Sequence, residues 1–475
     1  EEAMHKVIVP SSSSSKKKSM LLVVGVPKRR SILYTVATLI LACGCTLFQS
    51  SSNSGGVIVT AFALKQHQQQ QACDTTNTKN KAKKNSVVHT PVGTDGDGDY
   101  TASTKGCFDV IDAATPLILQ ELQRQPIRAN HPFHIADMGT ADAGTSLGLL
   151  SKIVQAVRAR TSKEEEEKEI VIHYEDQKDN EWKSVFNHAL GYQPVTDAYG
   201  KEIETPYTLG NVFIEATGVG FHQQCYPSQS IDLALSFTAM HWLSSSPSSL
   251  RSSEKYAEVM HSARTNDGIP PPAEQQQAAD DWSSILQARA KELTIGGRFI
   301  CINFCVSKEG YFLGQTDQGA SMWDSFQHAW NQLAEDSGDG VLITEAERTG
   351  VSFPNYYRTT EEFIEGVERC PTLRLISAEE KIVRCPYREQ YVKNIKNEKD
   401  TEISIMSPME YAKAFVPTTR TWSHSTFKAA LSEDKTEQEK EQIMEQFWNN
   451  YEELVAKAPA EHGMDYVHSY LVIEK

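Results

Sequence analysis

Apolar positions follow two alternating spacings from about residue 97 to the end of the chain. Helical spacing occurs over residues 110–122, 147–157 and 285–293, and each of these stretches predicts a helix. Short continuous apolar runs predict strands at 134–138, 170–174, 212–216, 231–237 and 298–306. Strands that alternate with helices predict a mainly parallel sheet covered by helices on both faces, which is the doubly wound α/β fold.

The later part of the chain departs from this alternation. Residues 310–365 and 402–460 are rich in helix-forming residues, so we expect them to form a helical cap over the sheet, with a contribution from 245–282. Residues 266–280 contain three consecutive prolines and three consecutive glutamines, and this composition predicts a loop. The final run, 466–473, alternates in polarity and predicts a closing antiparallel strand.

Residues 1–96 differ in composition from the rest and predict a low-complexity targeting region, separate from a folded domain at 97–475. They contain runs of serine, of lysine and arginine, and of glutamine. The apolar stretch 32–48 follows basic residues and predicts a signal peptide or a signal-anchor, which would allow membrane association.

The destination of the chain stays open between the secretory route, a plastid and the cytoplasm. Residues 59–64 resemble the alanine–phenylalanine cleavage context of diatom plastid presequences, which favours the secretory route with a plastid as its end point. A wrongly assigned gene start would instead leave a cytoplasmic protein, and the chain does begin with Glu1 rather than methionine.

Charge and motif content exclude several classes of function. The 475 residues carry a formal net charge of −15 and a pI of about 5.5, which argues against a nucleic-acid partner because phosphate binding needs a basic surface. The nine cysteines show no paired CxxC spacing and are interpreted as reduced. Neither an HExxH motif nor an EF-hand loop occurs in the sequence, so no metal site is predicted.

The first predicted strand runs into a loop that contains Asp137, Gly139, Thr140 and Thr145. A cofactor meets backbone at the carboxyl end of such a strand, and glycine permits close approach. The glycine spacing is not GxGxxG, which lowers the expectation of a nicotinamide or flavin cofactor. The loop suits a cofactor with an amino-acid tail and no phosphates, although a purely structural turn explains it equally well.

The second predicted strand leads into Asp176. A carboxylate at this position can accept two hydrogen bonds from ribose hydroxyls. A solvated aspartate at the end of a strand is the alternative.

Five segments together resemble the SABATH methyltransferase family. Residues 135–140 are similar to its Ala-Asp-Leu-Gly-Cys-Ser loop, and residues 174–186 to its Asp-Leu-Pro-Gly-Asn-Asp-Phe-Asn pattern. Residues 218–227 resemble Pro-Gly-Ser-Phe-Tyr-x-x-Leu-Phe-Pro, and residues 289–298 resemble Arg-Ala-x-Glu-Leu-x-x-Gly-Gly. The most specific match is 236–244, which resembles Ser-Ser-Tyr-Ser-Leu-His-Trp-Leu-Ser. Farther on, 353–358 is similar to the Phe-Pro-x-Tyr-x-Arg of microbial members.

This resemblance implies a Rossmann-like, seven-stranded methyltransferase sheet with a helical cap, and S-adenosylmethionine as the cofactor. It implies that the enzyme methylates the carboxylate of a small organic acid, and that it forms a homodimer. The implied cofactor-binding residues are Tyr100, Thr104, Asp137, Gly139, Thr140, Thr145, Asp176, Gln177, Gly220 and Phe221. The implied catalytic and acceptor-binding residues are His241 and Trp242, whose ring nitrogens can donate hydrogen bonds to a carboxylate.

The sequence departs from the family at its opening Tyr-x-x-x-Ser-x-x-Gln. Here Tyr100 is kept, Thr104 replaces serine, and Cys107 stands where the substrate-binding glutamine is expected. A thiol is a poor replacement for an amide donor, so Cys107 implies that the acceptor is bound differently or that the acceptor is a different molecule.

Three other functions stay open. The first is a degenerate member that binds a small metabolite without turnover. The second is methyl transfer to a nitrogen or a hydroxyl, for which His241 could take the proton. A nicotinamide oxidoreductase is the least favoured, because the loop lacks GxGxxG.

Overall fold

The computed structural model describes residues 6–8, 21–23, 96–161, 167–197, 199–245, 260–264, 268–335, 340–397 and 406–475. The chain divides into two units, Glu1–Ala82 and Lys83–Lys475. Within the first unit the described residues form one antiparallel pair of short strands, β1 (Lys6–Ile8) and β2 (Leu21–Val23).

The second unit is built on one twisted sheet. A separate antiparallel pair, β5 and β6, lies off this sheet. The strands of the second unit are β3 (Phe133–Met138), β4 (Ile170–Glu175), β5 (Val195–Thr196), β6 (Glu202–Ile203), β7 (Val212–Thr217), β8 (Ile231–Phe237), β9 (Leu293–Val306), β10 (Arg358–Thr359), β11 (Arg374–Val383) and β12 (Tyr466–Glu474).

The order across the main sheet is β11-β12-β9-β8-β3-β4-β7, with the two-residue β10 added beside the end of β9. Strands β9, β8, β3, β4 and β7 are parallel, and β12 runs antiparallel to both of its neighbours. The predicted mainly parallel α/β sheet of seven strands is therefore confirmed.

Eleven α-helices occur in the described part of the chain. They are α1 (Asp99–Ser103), α2 (Lys105–Arg124), α3 (Leu147–Arg158), α4 (Trp182–Ala189), α5 (Pro272–Glu292), α6 (Met322–Gln332), α7 (Glu345–Thr349), α8 (Thr360–Glu368), α9 (Pro386–Asn397), α10 (Pro408–Ala429) and α11 (Glu437–Lys457).

Alternate residues of each strand pack into two different cores, because successive side chains of a strand point to opposite faces. On β9, Ile300 and Ile302 face the core that α2 and α3 cover. Phe299 and Cys301 face the other core, which α5 and α8 cover through Trp282 and neighbouring apolar residues. Because helices cover both faces of the sheet, the central strands are buried on both sides and appear in the sequence as continuous apolar runs.

Helices α6, α10 and α11 form an aromatic cluster beside the end of the sheet. The ring centroids of Phe427 and Phe447 are 4.3 Å apart, and those of Phe447 and Trp448 are 4.7 Å apart. Aromatic pairs at such distances add about 0.5–1.5 kcal/mol each beyond the burial of their area. This cluster is continuous with the core on the α2 and α3 face.

Two expectations about local structure need correction. The predicted loop at 266–280 is wrong over 272–280, because α5 begins at Pro272 and runs without interruption to Glu292. A proline fits the first turn of a helix, where its missing N–H would have no partner. The predicted cap at 245–282 needs correction at its end, because Trp282 and later residues of this helix pack on the sheet, whereas Ala278 packs with Leu243 and Tyr356.

Several expectations concern residues that the structure does not describe. The apolar stretch 32–48, the plastid-like segment 59–64 and the glutamine tract at 68–71 lie outside the described residues, as do 246–259 of the predicted cap. Among the described helices, none combines the length and the apolar character that crossing a bilayer requires.

Candidate active site

The loop after β3 is held in an unusual backbone conformation. Gly139 has φ +75°, and a Cβ added there would lie 2.2 Å from the Cβ of Ala239, which follows β8. Ala141 and Ala143 in the same loop, and Thr238 after β8, also have positive φ. Residues held in the left-handed region concentrate at functional sites. The two turns at the carboxyl ends of β3 and β8 are therefore candidate parts of a functional site.

Asp137, the fifth residue of β3, is buried and is hydrogen-bonded by its own loop. Its Oδ2 accepts hydrogen bonds from Ser146 Oγ at 2.7 Å and from Thr140 Oγ1 at 3.1 Å. Burial raises the pKa of the Asp137 carboxyl, and these two hydrogen bonds oppose the shift. The carboxyl therefore fixes the path of the loop toward α3.

Asp176 follows the end of β4, and backbone N–H groups hold its carboxyl. Oδ2 accepts from the N–H of Ala141 at 2.9 Å, and Oδ1 accepts from the N–H of Gln177 at 2.8 Å. Desolvation raises the pKa of Asp176 to about 6, although both hydrogen bonds favour the charged form. Each oxygen keeps a further lone pair, so the carboxylate can still accept hydrogen bonds from a ligand.

The largest cavity at the ends of the central strands measures about 300 Å³, and we name it the strand-end cavity. Its lining residues are Tyr100, Gly139, Ala141, Asp176, Gln177, Gly220, Phe221, His222, Gln223, Phe237, Thr238, Ala239, Trp242, Leu243, Ser244 and Pro354. None of these residues is a lysine or an arginine. The cavity therefore offers no basic side chain to a phosphate, and its lining is compatible with a positively charged cofactor.

A buried ion pair fixes the loop that carries Gly220 and Phe221. Arg289 Nε lies 2.7 Å from Glu292 Oε2, and the same guanidinium donates to the carbonyl of Phe221 at 3.1 Å and to that of Gln223 at 3.0 Å. Glu292 Oε1 accepts from the backbone N–H groups of residues 225 and 226. The pair thus holds both ends of the loop at the wall of the strand-end cavity.

A smaller cavity adjoins the helical side of the site and is mostly aromatic. This aromatic cavity has a volume of about 50 Å³. Its lining residues are Tyr100, Thr104, Cys107, Thr238, His241, Trp242, Phe304, Leu313, Tyr357, Trp422, Met464 and Tyr466.

The turn that carries His241 and Trp242 is clamped by the segment before β10. The N–H of Tyr356 donates to the carbonyl of His241 at 2.9 Å, and the N–H of Leu243 donates to the carbonyl of Pro354 at 2.9 Å. The buried Arg358 donates to the carbonyl of Met240 at 3.0 Å. These contacts hold the Phe-Pro-Asn-Tyr-Tyr-Arg run against the His-Trp turn.

The cavities share residues and so form one site. Trp242 lines both the strand-end cavity and the aromatic cavity, while Tyr100 and Thr238 line both of them and also a third space of about 20 Å³ at the loop after β3. Asp137, Gly139, Thr140 and Thr145 line this third space. The structure therefore brings every residue that the sequence singled out to one of three adjoining spaces.

Two residues of the altered opening motif lie on the aromatic side. Thr104 lines the aromatic cavity and neither of the other two spaces, and its Oγ1 donates to the carbonyl of Tyr100 at 2.6 Å. Cys107 also lines the aromatic cavity, with its Sγ 3.9 Å from the Tyr100 hydroxyl. Burial raises the pKa of the Cys107 thiol, so it is uncharged at neutral pH.

Sequence reasoning missed several lining residues. Thr238 and Tyr357 lie inside segments that carried the family resemblance, so their position next to the motif residues was the available signal. Trp422 and Met464 belong to the helical side of the site and to the segment before β12, where no motif marks them.

Comparison with known proteins identifies the family. Residues 86–475 match the family described as SAM dependent carboxyl methyltransferase. The chain belongs to this family. Its cofactor is S-adenosylmethionine, and the chain is an S-adenosylmethionine-dependent methyltransferase.

The methyltransferase is similar to gibberellic acid methyltransferase 2 of Arabidopsis thaliana, with 24% identity over 58% of this chain and 70% of the relative. It is also similar to 3,7-dimethylxanthine N-methyltransferase 2 of Coffea arabica, with 24% identity over 58% of this chain and 70% of the relative. Among solved structures, a loganic acid methyltransferase with SAH matches with a TM-score of 0.60 and 17% identity, over 81% of this chain and 98% of that one. This last likeness supports the fold.

The residues of the site fit the cofactor of this family. The carboxylate of Asp176 can accept hydrogen bonds from ribose hydroxyls, and Phe221 offers an aromatic face to the same cavity. The absence of basic lining residues from the strand-end cavity, together with the nearby Asp137 and Asp176 carboxyls, suits a sulfonium cation.

Proposed function

We propose that the methyltransferase converts the carboxylate of a small organic acid to its methyl ester, with the acid bound in the aromatic cavity by Trp242 and His241. The observation that carries this proposal is the position of Trp242 in the wall of both cavities. A donor bound in one cavity and an acceptor bound in the other would therefore meet at this indole. The carboxylic acids named for the gibberellic acid relative and the loganic acid structure support this acceptor class.

We assign the ribose to Asp176 and the adenine to Gln177, Gly220 and Phe221. The methionine portion is assigned to the loop that contains Asp137, Gly139, Thr140 and Thr145, close to Tyr100. This division follows the two separate spaces that these residues line.

The protein's part in the reaction is to bind, orient and desolvate the acid. S-adenosylmethionine supplies an electrophilic methyl group. Trp242 Nε1–H and the His241 imidazole can each donate a hydrogen bond to a carboxylate, and this contact would fix the direction of the reacting oxygen. Orientation of this kind contributes up to about 7–11 kcal/mol to a two-reactant step.

The aromatic walls exclude water from the reacting oxygen. Phe304 packs edge-on against His241 at 4.8 Å between ring centroids, and Tyr357 lies 5.8 Å from the same imidazole. Loss of hydration makes a carboxylate oxygen more reactive. Because a carboxylate is already ionised at neutral pH, the chain needs no general base for this acceptor.

The experiment is a methyl-transfer assay with the full chain, S-adenosylmethionine labelled in its methyl group, and parallel panels of small carboxylic acids, xanthines and amines. We expect a labelled methyl ester, which mild hydroxide hydrolyses to the starting acid. A labelled product that resists hydroxide, formed only with xanthines or amines, would overturn the carboxylate assignment and favour the nitrogen acceptor. Tight binding of S-adenosylmethionine without any methylated product would favour a binding protein.

Two further expectations stay predictions. Dimer formation would be tested by sedimentation of the full chain, and membrane association through residues 32–48 by flotation with lipid vesicles.

A further inference from the structure

The lining of the aromatic cavity includes two polar side chains that lie outside the β8 turn. Trp422 comes from α10, and Tyr357 comes from the segment just before β10. The Trp422 Nε1 and the Tyr357 hydroxyl are both buried, and neither has a hydrogen-bond partner within the described part of the chain.

Such atoms are uncommon in folded proteins. Roughly nine of ten or more buried polar groups are paired, and an unpaired buried donor destabilises the fold. In the cavity of an enzyme an unpaired donor can be functional, because the bound ligand can supply the missing acceptor.

Packing fixes both side chains in place. The Trp422 ring lies 5.7 Å from that of Phe353 and 6.0 Å from that of Trp323. The Tyr357 ring lies 4.2 Å from that of His261 and 5.5 Å from that of Phe304. Neither donor can turn away from its position without disturbing several rings.

The chemistry of the two groups defines what they would bind. An indole N–H only donates, and burial raises the pKa of Tyr357 so that its hydroxyl keeps its proton. The ligand group must therefore accept hydrogen bonds. The reacting carboxylate of the acid would lie next to the sulfonium cation, whereas the lining offers neither a lysine nor an arginine to balance a second negative charge. This group is therefore an uncharged oxygen.

Cys107 gives an independent reason to look for donors on this side. The family pattern described above implies a glutamine at its position, and its protonated thiol is a weak donor. Tyr357 and Trp422 are thus two lining donors that belong neither to the β8 turn nor to the opening motif.

We propose that Trp422 and Tyr357 form a second polar subsite that binds a carbonyl or hydroxyl oxygen of the acceptor, so that the preferred substrates are small oxo- or hydroxy-substituted monocarboxylic acids. The inference rests on the proposed function, because it takes the acid to be bound at Trp242 by its carboxylate. The small volume of the cavity, about 50 Å³, favours compact acids.

The test compares matched acids with the full-length enzyme. Levulinate is compared with pentanoate, and meta- and para-hydroxyphenylacetate are compared with phenylacetate. We expect the better oxygenated acid of at least one pair to have a kcat/KM about tenfold above its parent, the effect of one hydrogen bond. In Trp422→Phe we expect this ratio to fall to about one, mainly through a higher KM for the oxygenated acid.

Control variants distinguish the loss of the subsite from a general destabilisation of the fold. Trp448→Phe alters another tryptophan of the same helical cluster that does not line the cavity, and it should keep the preference. Tyr357→Phe should lower the preference as Trp422→Phe does. Equal kcat/KM for both members of every pair, or an undiminished preference in Trp422→Phe, would overturn the subsite.

A binding measurement keeps the subsite testable apart from turnover. The same acids are titrated by calorimetry into enzyme saturated with S-adenosylhomocysteine. Tighter binding of an oxygenated acid that disappears in Trp422→Phe supports the subsite even if no ester forms, and a lack of ester then contradicts only the proposed function. Equal affinities for parent and oxygenated acids would contradict the subsite itself.

Discussion

At the scale of single residues, Asp176 is the side chain whose charge should control cofactor binding. Two backbone N–H groups hold its carboxyl in position, and desolvation still raises its pKa to about 6. Binding to ribose hydroxyls favours the ionised carboxylate, which accepts hydrogen bonds at both oxygens. Protonation below this pKa therefore competes with the cofactor.

We expect the dissociation constant for S-adenosylhomocysteine to rise about tenfold as the pH falls from about 8 to about 5, because protons and cofactor compete for the group. Asp176→Asn should bind the ligand more weakly throughout and should lose most of this pH dependence. Calorimetric titration across the pH range measures both. An unchanged pH profile in the asparagine variant would assign the titration to another carboxyl, such as Asp137.

The positions of the site residues were predictable from the sequence where a motif placed them. Asp137, Asp176, His241 and Trp242 lie in short segments at strand ends, and parallel strands bring their carboxyl ends to one edge. Trp422 was not predictable, because it lies in the middle of a long helix whose apolar pattern marks only a buried face. Its place in the cavity depends on how that helix packs.

At the scale of elements, the contact between the turns after β3 and β8 determines the shape of the site. Gly139 allows the two turns to approach, since any Cβ there would overlap Ala239. The same residue needs the left-handed conformation, which glycine adopts without strain.

Gly139→Ala should therefore lower the free energy of unfolding by about 1–3 kcal/mol and weaken S-adenosylhomocysteine binding. Gly220→Ala is a matched control, because an added Cβ there meets no atom within 4 Å and the backbone is not strained. We expect its unfolding free energy to stay within about 0.5 kcal/mol of the parent. Denaturant unfolding of both variants checks this, and equal stability losses would contradict the close-approach argument.

The comparison of predicted and observed elements shows where pattern reading succeeds. The strand predicted at 231–237 matches β8 (Ile231–Phe237), because a central strand buried on both faces is a plain apolar run. Strand β11 (Arg374–Val383) was not predicted, because it lies at the edge of the sheet and mixes charged and apolar residues, most of them partly exposed. Its hydrogen bonds to β12 stabilise this segment as a strand, although its own sequence pattern does not predict one.

At the scale of the whole molecule, the site depends on three parts of the chain that are far apart in sequence. The sheet supplies the cofactor side, the 353–358 segment clamps the β8 turn, and helix α10 closes the aromatic cavity. The alternation of strands and helices was sufficient to predict the sheet. The number and location of the cavities were not predictable, because they depend on tertiary packing between elements without motifs.

The central claim is that an acid and the methyl donor occupy adjoining cavities that share Trp242. The most direct measurement is a crystal structure of the enzyme with S-adenosylhomocysteine and the best acid of the panel. We predict ribose hydroxyls hydrogen-bonded to Asp176 and the carboxylate of the acid within hydrogen-bond distance of Trp242 Nε1. An acid bound outside the aromatic cavity, or a ribose remote from Asp176, would contradict the account.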